Sequence, residues 1–126
     1  MIYITINGQK IRLDNLCGSE MPKQLMSNTN EMLMEFKSYH QSTHAKGFSI
    51  TYEFTTNFGI FHGKQDHQKV CGFVYSSKES QNGTFTSPNF PGFYPRDTEC
   101  NYFFFGEPNE KVLITFSDFK VEGILP

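Results

Sequence analysis

The fold is decided by the stretch GTFTSPNFPGFYP, which spans residues 83–95. Phe85 lies in a short predicted strand between two turn signals, Asn82-Gly83 and Ser87-Pro88. The stretch shows no helical spacing of apolar residues, and one cysteine stands on each side of it, at positions 71 and 100. It therefore predicts a compact β-rich segment in which short strands alternate with turns.

Alternation of apolar and polar residues predicts further strands on both sides of this stretch. Phe48, Ile50, Tyr52 and Phe54 alternate with polar residues, which is typical of a strand with one buried face. The same pattern, or a continuous aromatic run, occupies residues 2–6, 101–105 and 112–116. Asn7-Gly8 follows the first of these strands and suits a type I′ turn.

Residues 31–36 fit two interpretations. Met32, Met34 and Phe36 could face inward from a strand, or the segment could be a helix that begins with a capping box at Asn28 and Glu31. We prefer the strand, because every clear neighbour has a period of two. Residues 55–70 have no period and read as a long loop or linker. The expected class is all-β, a sandwich or barrel.

Composition excludes several classes of protein. The chain has 126 residues, the length of one ordinary domain, and fourteen Phe and six Tyr can supply a core. A net charge of −2 gives no broad basic field for nucleic acid. No apolar run reaches the 18 residues that a membrane-spanning helix needs. The three cysteines are an odd number, which in a secreted chain leaves one thiol without an internal partner.

Residues 83–95 resemble the signature of CUB domains. Cys71 precedes the signature, Cys100 follows it, and residues 112–122 resemble the apolar strand of the family that ends in Phe-x-x-Phe-x-x-Glu. The resemblance implies an extracellular, antiparallel β-sandwich of the jelly-roll kind. It also implies a disulfide between Cys71 and Cys100, which would stabilise the fold by ~3 to 4 kcal/mol in the chain-entropy model.

The first half of the chain resembles the other end of a CUB domain. Residues 16–18, 32–36 and 46–52 are similar to the fourth cysteine of the family with its glycine and to the last two strands. We therefore expect residues 1–57 to be the C-terminal part of one CUB domain. Residues 58–70 would be a linker, and residues 71–126 would be the N-terminal part of a second, truncated domain.

This order of segments leaves two arrangements open. The two partial domains together contain about one domain's worth of strands in permuted order, so they could pack as one permuted sandwich. Alternatively, each could stand as a separate half-domain of a longer parent protein. Under the resemblance, the partner of Cys17 would lie upstream of Met1, and we expect Cys17 to be unpaired within this chain.

Two further sites follow from the residues. Asn82-Gly83-Thr84 is an acceptor sequence for N-linked glycosylation in a turn, so Asn82 would carry a glycan if the chain is secreted. A nucleophilic role for Cys17 would need a paired histidine, and none of the four histidines stands in a protease signature. We therefore expect no catalytic residues and no enzyme activity.

Calcium binding is the main question about metals. Many CUB domains bind Ca²⁺ through a Glu and two Asp, helped by a Tyr, and Glu122 and Tyr94 match two of these positions. The next ligand of that domain would lie beyond residue 126. In the first domain the two Asp positions fall at Met1 or Ile2 and near Tyr39, and none of these is acidic. We expect no calcium and no other cofactor in this chain.

The predicted function is that of a non-catalytic, extracellular protein-binding module. Residues 56–60, 87–90 and 95–98 look most like the invertebrate multi-CUB membrane proteins of the suppressor-of-lurcher type. That resemblance implies an auxiliary subunit of a glutamate receptor, located in the ectodomain of a membrane protein or secreted, with receptor proteins as partners. The alternative is the CUB region of a secreted metalloprotease or a complement-type serine protease.

Overall fold

The computed structural model describes residues 2–5, 16–41 and 43–123, which form strands, turns and extended segments. Within these ranges there is no helix, and hence none long and apolar enough to cross a membrane. The strands are β1 (Ile2–Thr5), β2 (Leu33–Phe36), β3 (Lys64–Gln65), β4 (Gly72–Ser76) and β5 (Asn101–Phe105). The prediction of an all-β chain is confirmed. The turn predicted at Asn7-Gly8 lies outside the described residues.

Strands β1 and β2 form an antiparallel pair. Their register runs from Ile2 opposite Phe36 to Thr5 opposite Leu33. Residues 33–36 are therefore a strand, as the period of two predicted, and the helical interpretation was wrong. Beyond the pair, the ring of Phe48 meets Phe36 edge-on, with 5.5 Å between ring centroids.

Strands β3, β4 and β5 form a second, mixed sheet in that order. β3 and β4 are antiparallel, whereas β4 and β5 are parallel, with Gly72 opposite Asn101 and Ser76 opposite Phe105. This parallel pair differs from the wholly antiparallel sheet that was predicted. Parallel neighbours need a long connection that returns the chain to the starting edge, and residues 77–100 provide it.

The core lies on one face of this second sheet. Ile60, Cys71 and Phe73 are buried, and the partly buried side chains against them belong to Phe58, Tyr75, Cys100 and Tyr102. The parallel register places Phe73 beside Tyr102 and Tyr75 beside Phe104, with stacked rings in both pairs. Phe85 covers this layer, 4.9 Å from Phe104 and 5.3 Å from Tyr102 between centroids.

The segment predicted as a linker is packed against this sheet. Ile60 is 2% exposed, and β3 pairs with β4. Gly63 has a φ of 84°, and a Cβ there would lie 2.6 Å from the ring of Tyr75. The Tyr75 hydroxyl in turn donates a hydrogen bond to the main-chain oxygen of His62 at 3.1 Å. Residues 58–65 are thus part of the second sheet's core rather than a free connection.

Two of the clearest alternating segments are not strands in the structure. Residues 48–54 and 112–116 lie outside every sheet, and their apolar side chains are largely exposed. The short strand predicted at Phe85 is also absent, although its ring packs as described. Alternation marks one apolar face, but a strand also needs a neighbouring edge to bond with. Neither segment is paired with such an edge in the described part of the chain.

The single permuted sandwich is likewise not what the structure contains. The two sheets share no strand, and the two faces that would have closed the sandwich do not cover each other. Phe54 and Phe116, one from each face, are 88% and 72% exposed. The described segments therefore form two separate small sheets.

Candidate binding surfaces

The disulfide between Cys71 and Cys100 stands at the start of the parallel pair. Its Cα atoms are 4.7 Å apart, and the S–S distance is 2.07 Å. Because each cysteine immediately precedes one of the two paired strands, the bond continues the β4–β5 register by one step. The N–H of Asn101 donates to the Cys71 carbonyl at 2.8 Å, which completes the junction. The predicted pairing is confirmed.

Asn89, at the centre of the signature stretch, is a buried hydrogen-bonding centre. It is 1% exposed and has a φ of 62°, a conformation that asparagine tolerates better than most residues. Its main-chain N–H donates to the Phe58 oxygen at 2.9 Å. Its side-chain Nδ2 donates to the main-chain oxygens of Phe93 at 2.7 Å and of Gln24 at 3.0 Å. The buried Asn89 amide therefore fixes the conformation of the turn in the signature stretch.

Gln24 joins the N-terminal segment to this turn. Its Nε2 donates to the Asn89 Oδ1, and its main-chain oxygen also accepts a hydrogen bond from the Phe93 N–H at 3.2 Å. A Cβ on Gly92 would lie 2.5 Å from that same oxygen, so the close approach requires glycine. The Lys23 ammonium lies 5.5 Å from the centre of the Phe93 ring. An extended peptide of the first segment is thus bound by the second.

An open cleft of about 380 Å³ lies beside the disulfide. Its wall carries one cationic side chain, Lys69, and two acidic ones, Asp97 and Glu99. Val70, at its edge, is 84% exposed. Asp97 is paired with Arg96 at 3.1 Å, so the surface combines exposed apolar area with both paired and further charged side chains.

Hydrogen bonds link the loops at the opposite end of the β4–β5 pair, which also carries a smaller open cleft of about 210 Å³ lined in part by Lys78 and Glu107. The Ser77 hydroxyl donates to Glu110 Oε1 at 2.7 Å, and the Glu107 N–H donates to the same oxygen at 2.6 Å. Main-chain donation from Glu107, followed by the Ser77 hydroxyl, lowers the pKa of Glu110 below its usual value. The Glu110 carboxylate therefore joins Ser77, which follows β4, to the loop that follows β5.

Tyr102 has a structural rather than a reactive role. Its hydroxyl donates to the Thr86 oxygen at 2.7 Å. Burial, followed by the charge of a nearby Tyr75, raises the pKa of Tyr102 to about 12, and burial also raises the pKa of Tyr75. Both phenols therefore stay protonated at neutral pH and serve as hydrogen-bond donors.

The structure brings together the two residues that match the family's calcium site. The Tyr94 hydroxyl accepts a hydrogen bond from the Glu122 main-chain N–H at 3.0 Å. Across residues 2–5, 16–41 and 43–123, no group of three or more His, Cys, Asp or Glu side chains is close enough to hold a metal ion. The contact joins the main chain of Glu122 to the Tyr94 hydroxyl, and calcium binding stays a matter of prediction.

The remaining predicted sites lie on the surface. Cys17 is an exposed free thiol, and the location of its partner stays a prediction. Asn82, Gly83 and Thr84 are all exposed. The hydrogen bonding of Gln24 to Asn89, 65 positions further along the chain, was not predicted from the sequence. A signal was available only at Asn89, since a polar residue between Pro88 and Pro91 is a natural candidate for a strained turn.

Comparison with known proteins follows the same division of the chain. The sequence profile of the CUB domain matches residues 1–52 and residues 71–124, well over half of the chain. The chain belongs to the CUB domain family.

Its relatives include much longer CUB-containing proteins. Cubilin of Rattus norvegicus is 34% identical over 110 residues, which cover 87% of this chain and 3% of that protein. Neuropilin-1a of Danio rerio is 31% identical over 116 residues, covering 92% of this chain and 11% of its own length. Tolloid-like protein 2 of Mus musculus is 29% identical, with 84% and 13% covered. The chain thus spans only a small fraction of these relatives. No solved structure matches it.

Proposed function

We propose that this chain is an extracellular, non-catalytic protein-binding module. It is composed of the end of one CUB domain (1–57), a connecting segment (58–70) whose residues 58–65 pack against the second sheet, and the start of the next domain (71–126). The observation that carries the proposal is the family match on both sides of residues 53–70. An alignment to cubilin of Canis lupus familiaris covers 115 residues and 91% of this chain, which supports two consecutive domains in one order.

The disulfide supports the extracellular location. Cys71 and Cys100 are paired, and disulfides persist in oxidising compartments such as the secretory pathway and the cell exterior. The non-catalytic part of the proposal rests on the family match, since the relatives named above share this domain with one another.

The binding surface that we propose is the cleft beside the disulfide. Asp97, Glu99 and Lys69 line the cleft, and Asp97 is already paired with Arg96 at 3.1 Å, so Glu99 is the acidic side chain that we expect to meet the partner. The exposed Val70 adds apolar area at its edge. A partner that fits this surface presents a basic side chain flanked by apolar residues, the combination that is enriched where proteins bind tightly.

The finer proposal is that this partner is a membrane receptor. It rests on the resemblance of residues 56–60, 87–90 and 95–98 to receptor-auxiliary proteins with several CUB domains. In that setting the chain would contact a glutamate receptor ectodomain and tune it. The alternative is that the parent protein is a protease. A protease domain in the segments that neighbour this chain in its parent protein would favour that alternative.

The proposal is tested by site-directed cross-linking followed by affinity measurement. A photo-reactive amino acid at position 70 of the secreted, tagged chain should capture a cell-surface protein, whereas the same probe at position 78, beside the smaller cleft at the opposite end, should not. The captured ectodomain is then purified, and its affinity for the chain is measured by surface plasmon resonance.

A matched pair of charge reversals provides the control. Glu99→Lys should weaken binding by about tenfold, equivalent to ~1.4 kcal/mol. Glu79→Lys makes the same charge change at the end of the β4–β5 pair opposite the disulfide and should leave the affinity unchanged. Equal effects of the two reversals, or equal capture from positions 70 and 78, would refute the cleft as the binding surface.

A further inference from the structure

One exposed turn carries a complete acceptor sequence for an N-linked glycan. Among the asparagines of the chain, Asn82 is the one followed two positions later by a serine or threonine, namely Thr84. The residue between them is Gly83, not the proline that would block the modification. The sequence requirement is therefore met once.

The turn also meets the geometric requirement. Residues 81–84 are exposed, and a Cβ built on Gly83 would have no atom within 4 Å. The chain behind them is anchored, because the N–H groups of Glu79 and Ser80 both donate to the Ser76 oxygen, at 3.0 and 3.1 Å. An anchored base with open space around the acceptor lets a large enzyme reach Asn82 without disturbing the sheet.

The chemical setting agrees with the sequence and the geometry. The Cys71–Cys100 disulfide belongs to an oxidising compartment, which is also where asparagine is glycosylated. We infer that Asn82 is an N-glycosylation site of this protein, an inference that rests on the extracellular setting proposed above.

The modification is a group transfer from a polyprenyl-diphosphate-linked oligosaccharide. The side-chain amide nitrogen of Asn82 forms a bond to the anomeric carbon of the first sugar. The bond between that carbon and the phosphate oxygen breaks, the polyprenyl diphosphate leaves with the electron pair, and the amide nitrogen releases one proton. No oxidation or reduction takes place.

The position of Asn82 gives the glycan a direction. β4 and β5 are parallel, so both strands end on the side where residues 77–84 and 105–110 lie, and both begin at the disulfide and the cleft. A glycan on Asn82 therefore covers the end of the sheet opposite the disulfide and leaves the cleft beside the disulfide free. The β4 strand of five residues separates the two ends by ~17 Å.

The test is translation of the full chain, preceded by a cleavable secretion signal, in the presence of microsomes. The translocated chain is recognised by its protection from added protease. Its mobility should increase when a peptide N-glycosidase removes the glycan. Mobility of the intact chain is the readout, because an Asn-Gly pair also converts slowly to aspartate without any glycan. Glycosylation accompanies translocation, so a variant that folds poorly still reports on the site.

Four variants complete the design. Asn82→Gln and Thr84→Ala should abolish the mobility shift, whereas Thr84→Ser should retain it. Asn109→Gln changes an exposed asparagine outside any acceptor sequence and should have no effect. A protease-protected wild-type chain without a shift, or a shift that survives Asn82→Gln, would overturn the inference. Since the signal forces translocation, such a result concerns the site and leaves the proposed binding function to its own test.

Discussion

The β1–β2 pair and the β3–β4–β5 sheet match the same family, yet they are stabilised very differently. In the second sheet Phe73 is 1% exposed, and a disulfide joins the positions immediately before two of the strands. In the first, Leu33 and Phe36 are more than half exposed although they lie within β2. Family membership alone therefore does not predict which part of this chain forms a core.

The difference teaches what a small sheet needs. Two strands alone bury little apolar surface and are marginal in water. The second sheet adds a third strand, a layer of stacked rings around Phe85 and a covalent link. Each addition lies within residues 58–105, so this part can stabilise itself. The first pair depends on contacts such as Gln24 with the Asn89 turn.

The largest expected effect is a difference in stability between variants of a buried phenylalanine in the second sheet and an exposed one in the first. Phe73→Ala should lower the free energy of unfolding by ~3 to 5 kcal/mol, because it opens a cavity in the core. Phe36→Ala, at an exposed position, should cost ~1 kcal/mol or less. Urea denaturation of both variants measures the difference. Losses of equal size would show that the core is not confined to the second sheet.

Removal of the disulfide should rank next. The double variant Cys71→Ser/Cys100→Ser should lose ~3 to 4 kcal/mol, since a long loop of the unfolded chain is no longer closed. Hydrogen exchange should then accelerate in β4 and β5 and stay unchanged in β1 and β2. Cys17→Ser removes an exposed thiol and serves as the control. Faster exchange in both sheets would instead indicate that they unfold as one unit.

The connection between the two regions should have an intermediate effect. Asn89→Ala should cost ~1 to 3 kcal/mol, because the main-chain oxygens of Gln24 and Phe93 lose the donor that the buried amide supplies. Gln24→Ala should cost less, and the double variant should cost less than the two changes added together. Denaturation of the four chains gives this double-mutant cycle. Strict additivity would mean that the two amides do not interact.

The smallest effect concerns alkaline pH. The folded state raises the pKa of Tyr102 from 10.0 to about 12, so the unfolded chain releases this proton first. The stability that depends on the protonated phenol is complete below pH 10 and is lost as the pH rises to about 12. Urea midpoints across this range should fall less steeply for Tyr102→Phe than for the wild type. Parallel slopes would exclude Tyr102 as the source.

Several features could be predicted from local sequence alone. The aromatic run at residues 101–105 and the alternation in residues 32–36 became strands because each segment has a partner within the described chain. The cystine followed from the signature between its two cysteines. In these cases the pattern and the available neighbours agree.

Other features depend on contacts that no local pattern carries. Residues 48–54 alternate as clearly as any strand but lack a paired edge. The parallel direction of β5 depends on how residues 77–100 return, and the contact of Gln24 with Asn89 joins positions 65 residues apart. Residues 55–70 have no period in sequence, yet they contain β3, and no local pattern reveals that Ile60 enters the core.

The position of the cystine has a mechanical consequence. A stretching force transmitted along the backbone reaches Cys71 and leaves from Cys100 through the sulfur atoms, so it bypasses everything between them. The 29-residue separation would otherwise add ~100 Å of length when fully extended. While the bond is intact, no tension passes along the backbone between Cys71 and Cys100, and load reaches the turn around Asn89 through hydrogen bonds such as those to Gln24 and Phe58. This part of the chain can keep its shape under tensile load.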